Sequence, residues 1–322
     1  MTLRVWACLV GIVSMLGPLA GPSAAALRYT GFGVTLASST NGAPQAIPAT
    51  ILRPEGDGPF PAIVIEHDCS GLGTHSSGAP GRWAPILAGE GYVVIMPDSF
   101  APRGFPDGVC TAKAASEGGS IAAVLPGARA VDAYAALDYL RTLPYVDGAR
   151  IGIMGGSHGG STTLAAMSVA ASPLVRQARP EGPGFAAAIA LYPGCGARFG
   201  GWNVERTYRD HGPVTRYIGV YKPLAPLLIL IGEKDDWTPA DQCQRLAQTA
   251  QEAGFPVSIK VYPGAYHAFD SSFPVRYIAE RRNINKDSGK GATTGGDAAA
   301  WKDSIEQVKS FFARYLRREA KS

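Results

Sequence analysis

One serine of the chain stands in a pattern that is typical of a catalytic nucleophile. Residues 151–160 read Ile-Gly-Ile-Met-Gly-Gly-Ser-His-Gly-Gly, which places Ser157 in the pattern G-x-S-x-G. Apolar residues precede the motif and a run rich in Ala, Leu and Met follows it, so the segment predicts a strand, a tight turn and a helix. Such a turn lifts the hydroxyl out of the sheet and directs the backbone N–H of His158 towards a developing negative charge. A glycine-rich turn that only joins strand to helix is the alternative.

A serine hydroxyl needs a base that takes its proton and an acid that orients the base. In folds with this turn, both partners follow the serine, and the acid comes first. Two of the five histidines, His211 and His267, lie downstream of the motif. His267 follows an alternating strand and a Pro-Gly turn, at the end of a strand where an open α/β sheet presents reactive groups. His211 lies in a polar stretch without a predicted strand, so we predict His267 as the base.

The acid is expected between the serine and the histidine. Residues 227–232 form a continuous apolar run, which is typical of a central parallel strand, and three acidic residues follow it. Asp235 is the predicted acid and Asp236 is the alternative, because Glu233 is too close to the end of the strand. Both aspartates could instead cap the helix that is predicted to begin near Ala240.

A second backbone N–H is needed to complete an oxyanion hole. Residues 61–71 predict an apolar strand that runs into a polar turn. In lipases and esterases the loop at this position donates an N–H to the oxyanion. We predict that Cys69 supplies this donor together with His158, and that Asp68 lies beside the reacting group. An ordinary turn at the end of a strand is the alternative.

Taken together, these segments resemble the dienelactone hydrolase family of the α/β-hydrolase superfamily. They occur in the family's order across most of residues 45–318. The resemblance implies an α/β-hydrolase fold and the hydrolysis of an ester. The matching segments are 61–71, 91–98, 150–160, 232–235 and 262–269.

The chain departs from that family at several of the family's characteristic positions. Dienelactone hydrolases proper carry a cysteine nucleophile, where this chain has Ser157. Their glutamate in the oxyanion turn falls near Asp68, and their arginine after the histidine is replaced by Asp270-Ser-Ser. An upstream arginine has a counterpart only in Arg103, with a shifted spacing, and we regard Arg103 as a candidate substrate contact. The resemblance therefore implies a serine esterase rather than activity on dienelactone.

Residues 1–26 predict a secretory signal peptide. Arg4 precedes an apolar run over 5–19, and small residues follow up to Ala26. The run is short for a membrane span, and an uncleaved anchor is the alternative. We expect cleavage after Ala25 or Ala26, a hydrolase domain over 27–322, a secreted or periplasmic location and no stable membrane insertion after cleavage.

Four cysteines follow the predicted signal peptide, and an even number in an exported chain favours disulfides. Cys69 and Cys110 both lie in loops after the first half of the predicted sheet. Cys195 and Cys243 follow neighbouring parallel strands. We therefore predict Cys69–Cys110 and Cys195–Cys243, with buried free thiols as the alternative. No spacing is typical of a metal site, and no cofactor is expected.

The alternation of strands and helices predicts the fold class. It favours an α/β protein with a doubly wound, mostly parallel sheet that is covered by helices on both faces. Residues 99–120, 196–222 and 276–297 are predicted as irregular, and the polar part from Asn283 to Gly296 favours partial disorder. The strands are expected near 28–36, 48–53, 61–67, 91–96, 151–156, 186–191, 227–231 and 257–262, and the helices near 127–142, 161–171, 240–253 and 298–317.

Composition and charge limit the classes of function that the chain can have. The 322 residues are 46% hydrophobic, enough for one substantial core, and the scattered net charge of +4 argues against nucleic-acid binding. A small or polymeric carboxylic ester is the expected substrate. Three alternatives remain: a prolyl-oligopeptidase-type serine peptidase, although no propeller domain is predicted; a polyester or acetyl-polysaccharide esterase; and a catalytically silent binding protein.

Overall fold

The computed structural model of the chain describes residues 28–39, 44–209 and 212–317. The predicted signal peptide and His211 lie outside the described residues. The strands are β1 (Tyr29–Ser38), β2 (Gln45–Pro54), β3 (Phe60–Glu66), β4 (Val93–Pro97), β5 (Val146–Gly156), β6 (Ala187–Leu191), β7 (Asn203–Arg209), β8 (Gly212–Ile218), β9 (Leu227–Gly232), β10 (Val257–Tyr262), β11 (Arg276–Arg282) and β12 (Lys290–Thr294). The α-helices are α1 (Ala79–Gly89), α2 (Ala112–Glu117), α3 (Pro126–Thr142), α4 (His158–Met167), α5 (Pro173–Ala178), α6 (Ala240–Glu252) and α7 (Ala298–Leu316).

Eight of these strands form one central sheet in the order β1-β2-β4-β3-β5-β6-β9-β10. β1 and β4 each pair antiparallel with β2, and every other neighbouring pair is parallel. The chain passes from β3 to β4 on one side and then crosses to β5 on the other side of β3. The predicted α/β-hydrolase fold is confirmed, and the crevice where ligands bind in such sheets lies beyond the carboxyl ends of β3 and β5.

The inner strands are apolar because both faces of the sheet are covered. All six residues of β9 and all five of β6 are buried, although successive side chains point to opposite faces. Helices α1 and α7 pack together through Trp83 and Trp301, whose ring centroids lie 4.6 Å apart. Helices α3 and α4 are joined by the Tyr134 hydroxyl, which donates to the Ala166 carbonyl over 2.8 Å. This core fixes the ends of the strands from which the functional loops extend.

The structure differs from the prediction in the three stretches expected to be irregular. Two of them hold antiparallel hairpins, β7–β8 and β11–β12, and the third holds α2. β11 is largely exposed on both faces, so its residues show no apolar alternation that the sequence could reveal. Backbone pairing and cross-strand contacts hold such hairpins, and neither requires an apolar pattern.

Candidate active site

The strand β5 ends in a strained turn that presents Ser157. Ser157 has φ 53° and ψ −113°, a backbone conformation that L-residues rarely adopt, and it lies between the end of β5 and the start of α4. A Cβ atom at Gly155 would lie 2.5 Å from the carbonyl carbon of Gly159, and one at Gly159 would lie 2.1 Å from the Glu66 carbonyl oxygen. Only glycines fit this turn, because β3, β5 and α4 approach so closely there.

Three loops bring together the serine, the histidine and the first of the two aspartates. Ser157 Oγ lies 2.9 Å from His267 Nε2, and His267 Nδ1 lies 2.8 Å from Asp235 Oδ2. Asp235 follows β9 and His267 follows β10, so both come from the carboxyl edge of the sheet, as expected. Ser157 is 8% exposed and His267 only 1%. The arrangement suits transfer of the serine proton to a histidine that a carboxylate orients.

Asp235 is held by groups that the sequence analysis missed. Its Oδ1 accepts from the backbone N–H groups of Trp237 and Thr238 over 3.0 and 2.8 Å. The Thr238 hydroxyl lies 2.9 Å from Asp235 Oδ2 and 3.0 Å from His267 Nδ1. The Trp237 ring packs against the imidazole with centroids 4.7 Å apart, and Tyr192 contacts it edge-on at 4.8 Å. The spacing Asp-x-x-Thr, typical of a local turn, is the signal that could have indicated Thr238.

Asp236, the alternative acid, points away from the histidine. Its carboxylate accepts from Lys286 Nζ over 2.8 Å and from the Thr293 N–H over 2.7 Å. Its carbonyl accepts from Asn283 Nδ2 over 2.8 Å. Helix α6 has no side-chain cap, so neither of the two aspartates caps it. Asp236 instead attaches the β11–β12 hairpin to the loop after β9.

The β11–β12 hairpin forms one wall of the site, where partial disorder was expected. Asn283 is buried and donates to the Gly291 carbonyl over 2.8 Å. The Gly295 N–H donates to the His267 carbonyl over 3.0 Å, and the Arg282 N–H donates to the Cys110 carbonyl over 3.0 Å. The polar residues of the hairpin are ordered because they form hydrogen bonds with one another and with the neighbouring loops. Composition alone does not reveal these hydrogen bonds.

Cys69 and His158 line the same cavity as Ser157. Among the described residues, we find no protein acceptor for the backbone N–H of either one. His158 is the first residue of α4, where the helix leaves its N–H groups free. The Cys69 carbonyl accepts from the Val109 N–H over 2.7 Å, which fixes the turn that carries the Cys69 amide. The turn that carries Cys69 and the start of α4 therefore meet beside Ser157.

The structure joins the same two cysteine pairs that the sequence predicts. Cys69 is bonded to Cys110 and Cys195 to Cys243. The first disulfide lines the cavity and ties the turn after β3 to the segment before α2. The second ties the loop after β6 to the first turns of α6.

Asp68 and Arg103 do not reach the cavity. Asp68 accepts from the Ser70 N–H over 2.7 Å and from the Ser77 hydroxyl over 2.5 Å, so it folds its own loop. The Arg103 guanidinium pairs with Asp132 at 2.5 and 2.9 Å, and both side chains are buried. The expectation that these residues lie beside the reacting group is wrong, because each is used inside the protein.

A buried ionic group that the sequence analysis missed lies beneath the nucleophile turn. Arg129 donates to Glu66 Oε2 over 2.9 Å and to His158 Nδ1 over 2.8 Å. A guanidinium has only donors, so His158 Nδ1 is an acceptor and the ring is neutral. Burial, followed by the charge of Arg129, holds the pKa of His158 well below its usual value. Burial raises the pKa of Glu66 to about 7, against the opposing effect of Arg129.

The cavity that Ser157 lines has a volume of about 340 Å³ and is mostly apolar. Arg282 and Asn285 of the hairpin contribute polar atoms at one side. The described part of the chain contains no cluster of three or more His, Cys, Asp or Glu suited to a metal ion. Of the helices in the described ranges, none has the length and apolar character needed to span a membrane. The main apolar lining residues are Val109, Ile121, Leu125, Pro126, Ala197, Trp237 and Ile284.

Comparison with known proteins assigns the family. The model of the dienelactone hydrolase family matches residues 47–316. A Bradyrhizobium protein named "Probable 2-oxo-3-(5-oxofuran-2-ylidene)propanoate lactonase" is 27% identical over 231 residues, which cover 71% of this chain and 81% of that protein.

Two solved structures share the fold. A "Putative Dienelactone Hydrolase" from Klebsiella pneumoniae subsp. pneumoniae MGH 78578 has a TM-score of 0.60 and 22% identity, covering 89% of this chain and 100% of that chain. The apo form of Thermogutta terrifontis esterase 2 has a TM-score of 0.56 and 18% identity, covering 92% and 98%. Because the family match spans most of the sequence, the chain belongs to the dienelactone hydrolase family and is a carboxylic ester hydrolase.

Proposed function

We propose that the chain is an exported serine esterase that works through a Ser157–His267–Asp235 triad and an acyl-enzyme. The observation that carries this proposal is the continuous hydrogen-bonded chain from Ser157 Oγ through His267 to Asp235, at the base of an apolar cavity. A nucleophile, a base and an orienting acid within hydrogen-bond distance are the requirements for acyl transfer.

In the acylation step, Ser157 Oγ attacks the ester carbonyl carbon as His267 Nε2 takes its proton. Asp235 stabilises the resulting imidazolium and holds the ring in place. The carbonyl oxygen becomes an oxyanion, to which the N–H groups of His158 and Cys69 donate. The tetrahedral intermediate then collapses, the proton on His267 passes to the alcohol oxygen, and the alcohol leaves.

Deacylation repeats these steps with water as the nucleophile. His267 takes a proton from water, the resulting hydroxide attacks the acyl carbon, and Ser157 leaves with the proton that His267 returns. The contact of His158 Nδ1 with Arg129 holds the ring in place beside the backbone N–H that is proposed to donate to the oxyanion.

Export is part of the proposal and rests on different observations. Residues 1–26 have the basic, apolar and small-residue order of a signal peptide. The two disulfides are compatible with an oxidising compartment such as the periplasm or the extracellular space.

The Ser157→Ala variant tests the catalytic proposal directly. We expect turnover of p-nitrophenyl acetate to fall by about 10⁶-fold, since triad members act as a unit. The control is Ser288→Ala, which removes an exposed hydroxyl on the hairpin and should retain activity. A fluorophosphonate probe should label the wild type and the control but not Ser157→Ala, and circular dichroism should show that all three are folded.

Two outcomes would contradict the proposal. Retained turnover by purified Ser157→Ala would remove Ser157 from the mechanism. Equal kcat/KM values for a p-nitrophenyl ester and the anilide with the same acyl group would indicate a peptidase instead.

A further inference from the structure

A second apolar cavity lies next to the one that contains Ser157. Its volume is about 310 Å³. Leu125, Pro126 and Ala197 line both cavities, so the two cavities are adjacent at these residues. We treat the two cavities as one cleft that leads from Ser157, past these three residues, to the second cavity. The other apolar side chains around the second cavity are Ala165, Ala171, Val175 and Phe199.

Helix α4 runs along the floor of this cleft. Ser161 lines the first cavity, and Ala165 and Ser168, the latter at the end of α4, line the second. The spacing of four and then three residues places them on one face of the helix. A rise of 1.5 Å per residue separates Ser161 from Ser168 by about 10 Å along the axis. Because α4 begins directly after Ser157, the cleft leads away from the reacting carbonyl.

The surface of the cleft suits an apolar ligand. Leu125, at the junction of the two cavities, is 50% exposed, and Ile284, at the rim of the first, is 75% exposed. Exposed apolar residues that border a cavity often mark a ligand-binding groove. Arg198 is the charged residue that lines the second cavity, and it lies at the exposed edge. Each cavity alone is at the lower end of the range of about 300–1,000 Å³ that ligand pockets occupy.

We propose that the second cavity binds an extended aliphatic arm of the ester, so that this chain prefers esters with a long acyl or alcohol group over short ones. The inference rests on the proposed function, because the arm is positioned relative to a carbonyl at Ser157. A short ester would fill the first cavity and leave the second to water.

A single glycine allows the second cavity to be filled without disturbing the triad. Gly127, in the first turn of α3, lines the second cavity but not the first. A Cβ atom at Gly127 would meet nothing within 4 Å, so Gly127→Leu places its side chain in open space. Gly81 of α1 is also in open space and lines neither cavity, so Gly81→Leu is the matched control. Both substitutions replace a helical glycine with a better helix former.

The test compares two ester series below the concentration at which they aggregate. The acyl series runs from p-nitrophenyl acetate through butyrate to octanoate, and the alcohol series from ethyl through butyl to octyl acetate. For the wild type we expect kcat/KM to rise in one series by about three- to fourfold per buried methylene, as expected for the transfer of a methylene from water. The series that responds identifies the arm that enters the second cavity.

Gly127→Leu should abolish the increase of kcat/KM with chain length and leave the turnover of p-nitrophenyl acetate unchanged. Gly81→Leu should retain the increase. The inference is overturned if neither series shows a rise, or if Gly127→Leu lowers kcat/KM equally for short and long esters while its thermal unfolding matches that of Gly81→Leu. Failure of the proposed function is a separate result, because it would abolish the Ser157-dependent turnover of p-nitrophenyl acetate itself.

Discussion

Asp235 and Asp236 are adjacent in the sequence, yet their carboxylates serve different elements. Asp235 contacts His267 and the N–H groups of its own turn, whereas Asp236 contacts Lys286 and Thr293 of the hairpin. Successive residues of a turn point in different directions, so only one can face the histidine.

This difference gives a prediction at the level of single residues. Asp235→Asn should lower kcat by about 10⁴-fold, because an amide favours the wrong imidazole tautomer. Asp236→Asn should leave kcat within a small factor and lower the free energy of unfolding by about 1 kcal/mol, as expected for a partly exposed ion pair. Ester kinetics and urea unfolding measure the two effects. An equal loss of kcat in both variants would show that the structure assigns the acid incorrectly.

The buried ion pair of Glu66 and Arg129, beneath the turn that carries Ser157, leaves one polar atom of each side chain without a partner among the described residues. Glu66 and Arg129 are fully buried, and Glu66 Oε1 and Arg129 Nε have no partner among the described residues. Buried ion pairs often contribute little net stability compared with apolar packing. The contact of Arg129 with His158 nevertheless fixes the ring of the residue whose N–H faces the proposed oxyanion.

At the scale of elements, the two disulfides close loops of similar length in different places. Their sequence separations are 41 and 48 residues, so the loop-entropy estimate for each is about 4 kcal/mol. Only Cys69–Cys110 includes a residue that lines the cavity as a proposed oxyanion donor.

We therefore expect two double variants to differ in activity more than in stability. Cys69→Ser with Cys110→Ser and Cys195→Ser with Cys243→Ser should lose similar free energies of unfolding in urea. The first should lose more kcat on p-nitrophenyl acetate, because the turn that carries the Cys69 N–H is released. Mass spectrometry of the exported, non-reduced wild type should show both bridges and an N-terminus at residue 26 or 27. Four alkylatable thiols, or equal losses of kcat, would contradict this account.

The sequence predicts the elements whose patterns are local. The strand patterns of β5, β9 and β10, and the residues that follow them, identify Ser157, two candidate acids and His267, because strand periodicity and turn residues are local properties. It does not predict the β11–β12 hairpin, because β11 is largely exposed and shows no apolar alternation.

Tertiary contacts explain the remaining differences. Glu66, Arg129 and Thr238 act through partners far away in the sequence or through turn geometry, and no periodic pattern marks them. Arg103, which the resemblance makes a candidate substrate contact, pairs with Asp132, 29 residues away, so its orientation depends on the folded structure. Helix α1 contains Pro80 in its first turn, where the missing N–H costs nothing, but a proline-rich segment does not predict a helix.

At the scale of the whole molecule, the free energy of unfolding depends on pH, because buried ionisable groups have different pKa values in the folded and unfolded chain. Glu66 has a pKa raised from 4.5 to about 7, so between these values the folded protein holds a proton that the unfolded chain releases. Its contribution to the free energy of unfolding is therefore full below pH 4.5 and is lost as the pH rises to about 7. His67 and His158 have pKa values well below 6.5, and they act in the opposite direction, destabilising the fold as the pH falls below 6.5.

A comparison of the wild type with Glu66→Gln isolates the contribution of Glu66. His67 and His158 are present in both proteins, so their contributions to the free energy of unfolding cancel in the difference. The free energy of unfolding of the wild type minus that of Glu66→Gln should increase as the pH is lowered from about 8 to about 5. Urea unfolding across this range measures the difference, and Glu55→Gln, at an exposed position, should show no comparable trend. A difference that is constant with pH, or that decreases on acidification, would show that buried Glu66 is not protonated near neutrality.

Under the proposed binding mode, the residues on one face of α4 determine how long an ester fits the cleft. These residues are Ser161, Ala165 and Ser168. Their positions along the helix axis differ by roughly one turn each, and one turn is about 5.4 Å. A larger side chain at Ala165 would shorten the cleft beyond Ser157, whereas Ser161 is unsuitable for this change because its hydroxyl donates to the Ser157 carbonyl over 3.2 Å. Under the proposed binding mode, the length of ester that the chain accepts can therefore be changed at Ala165 while Ser157 and His267 stay in place.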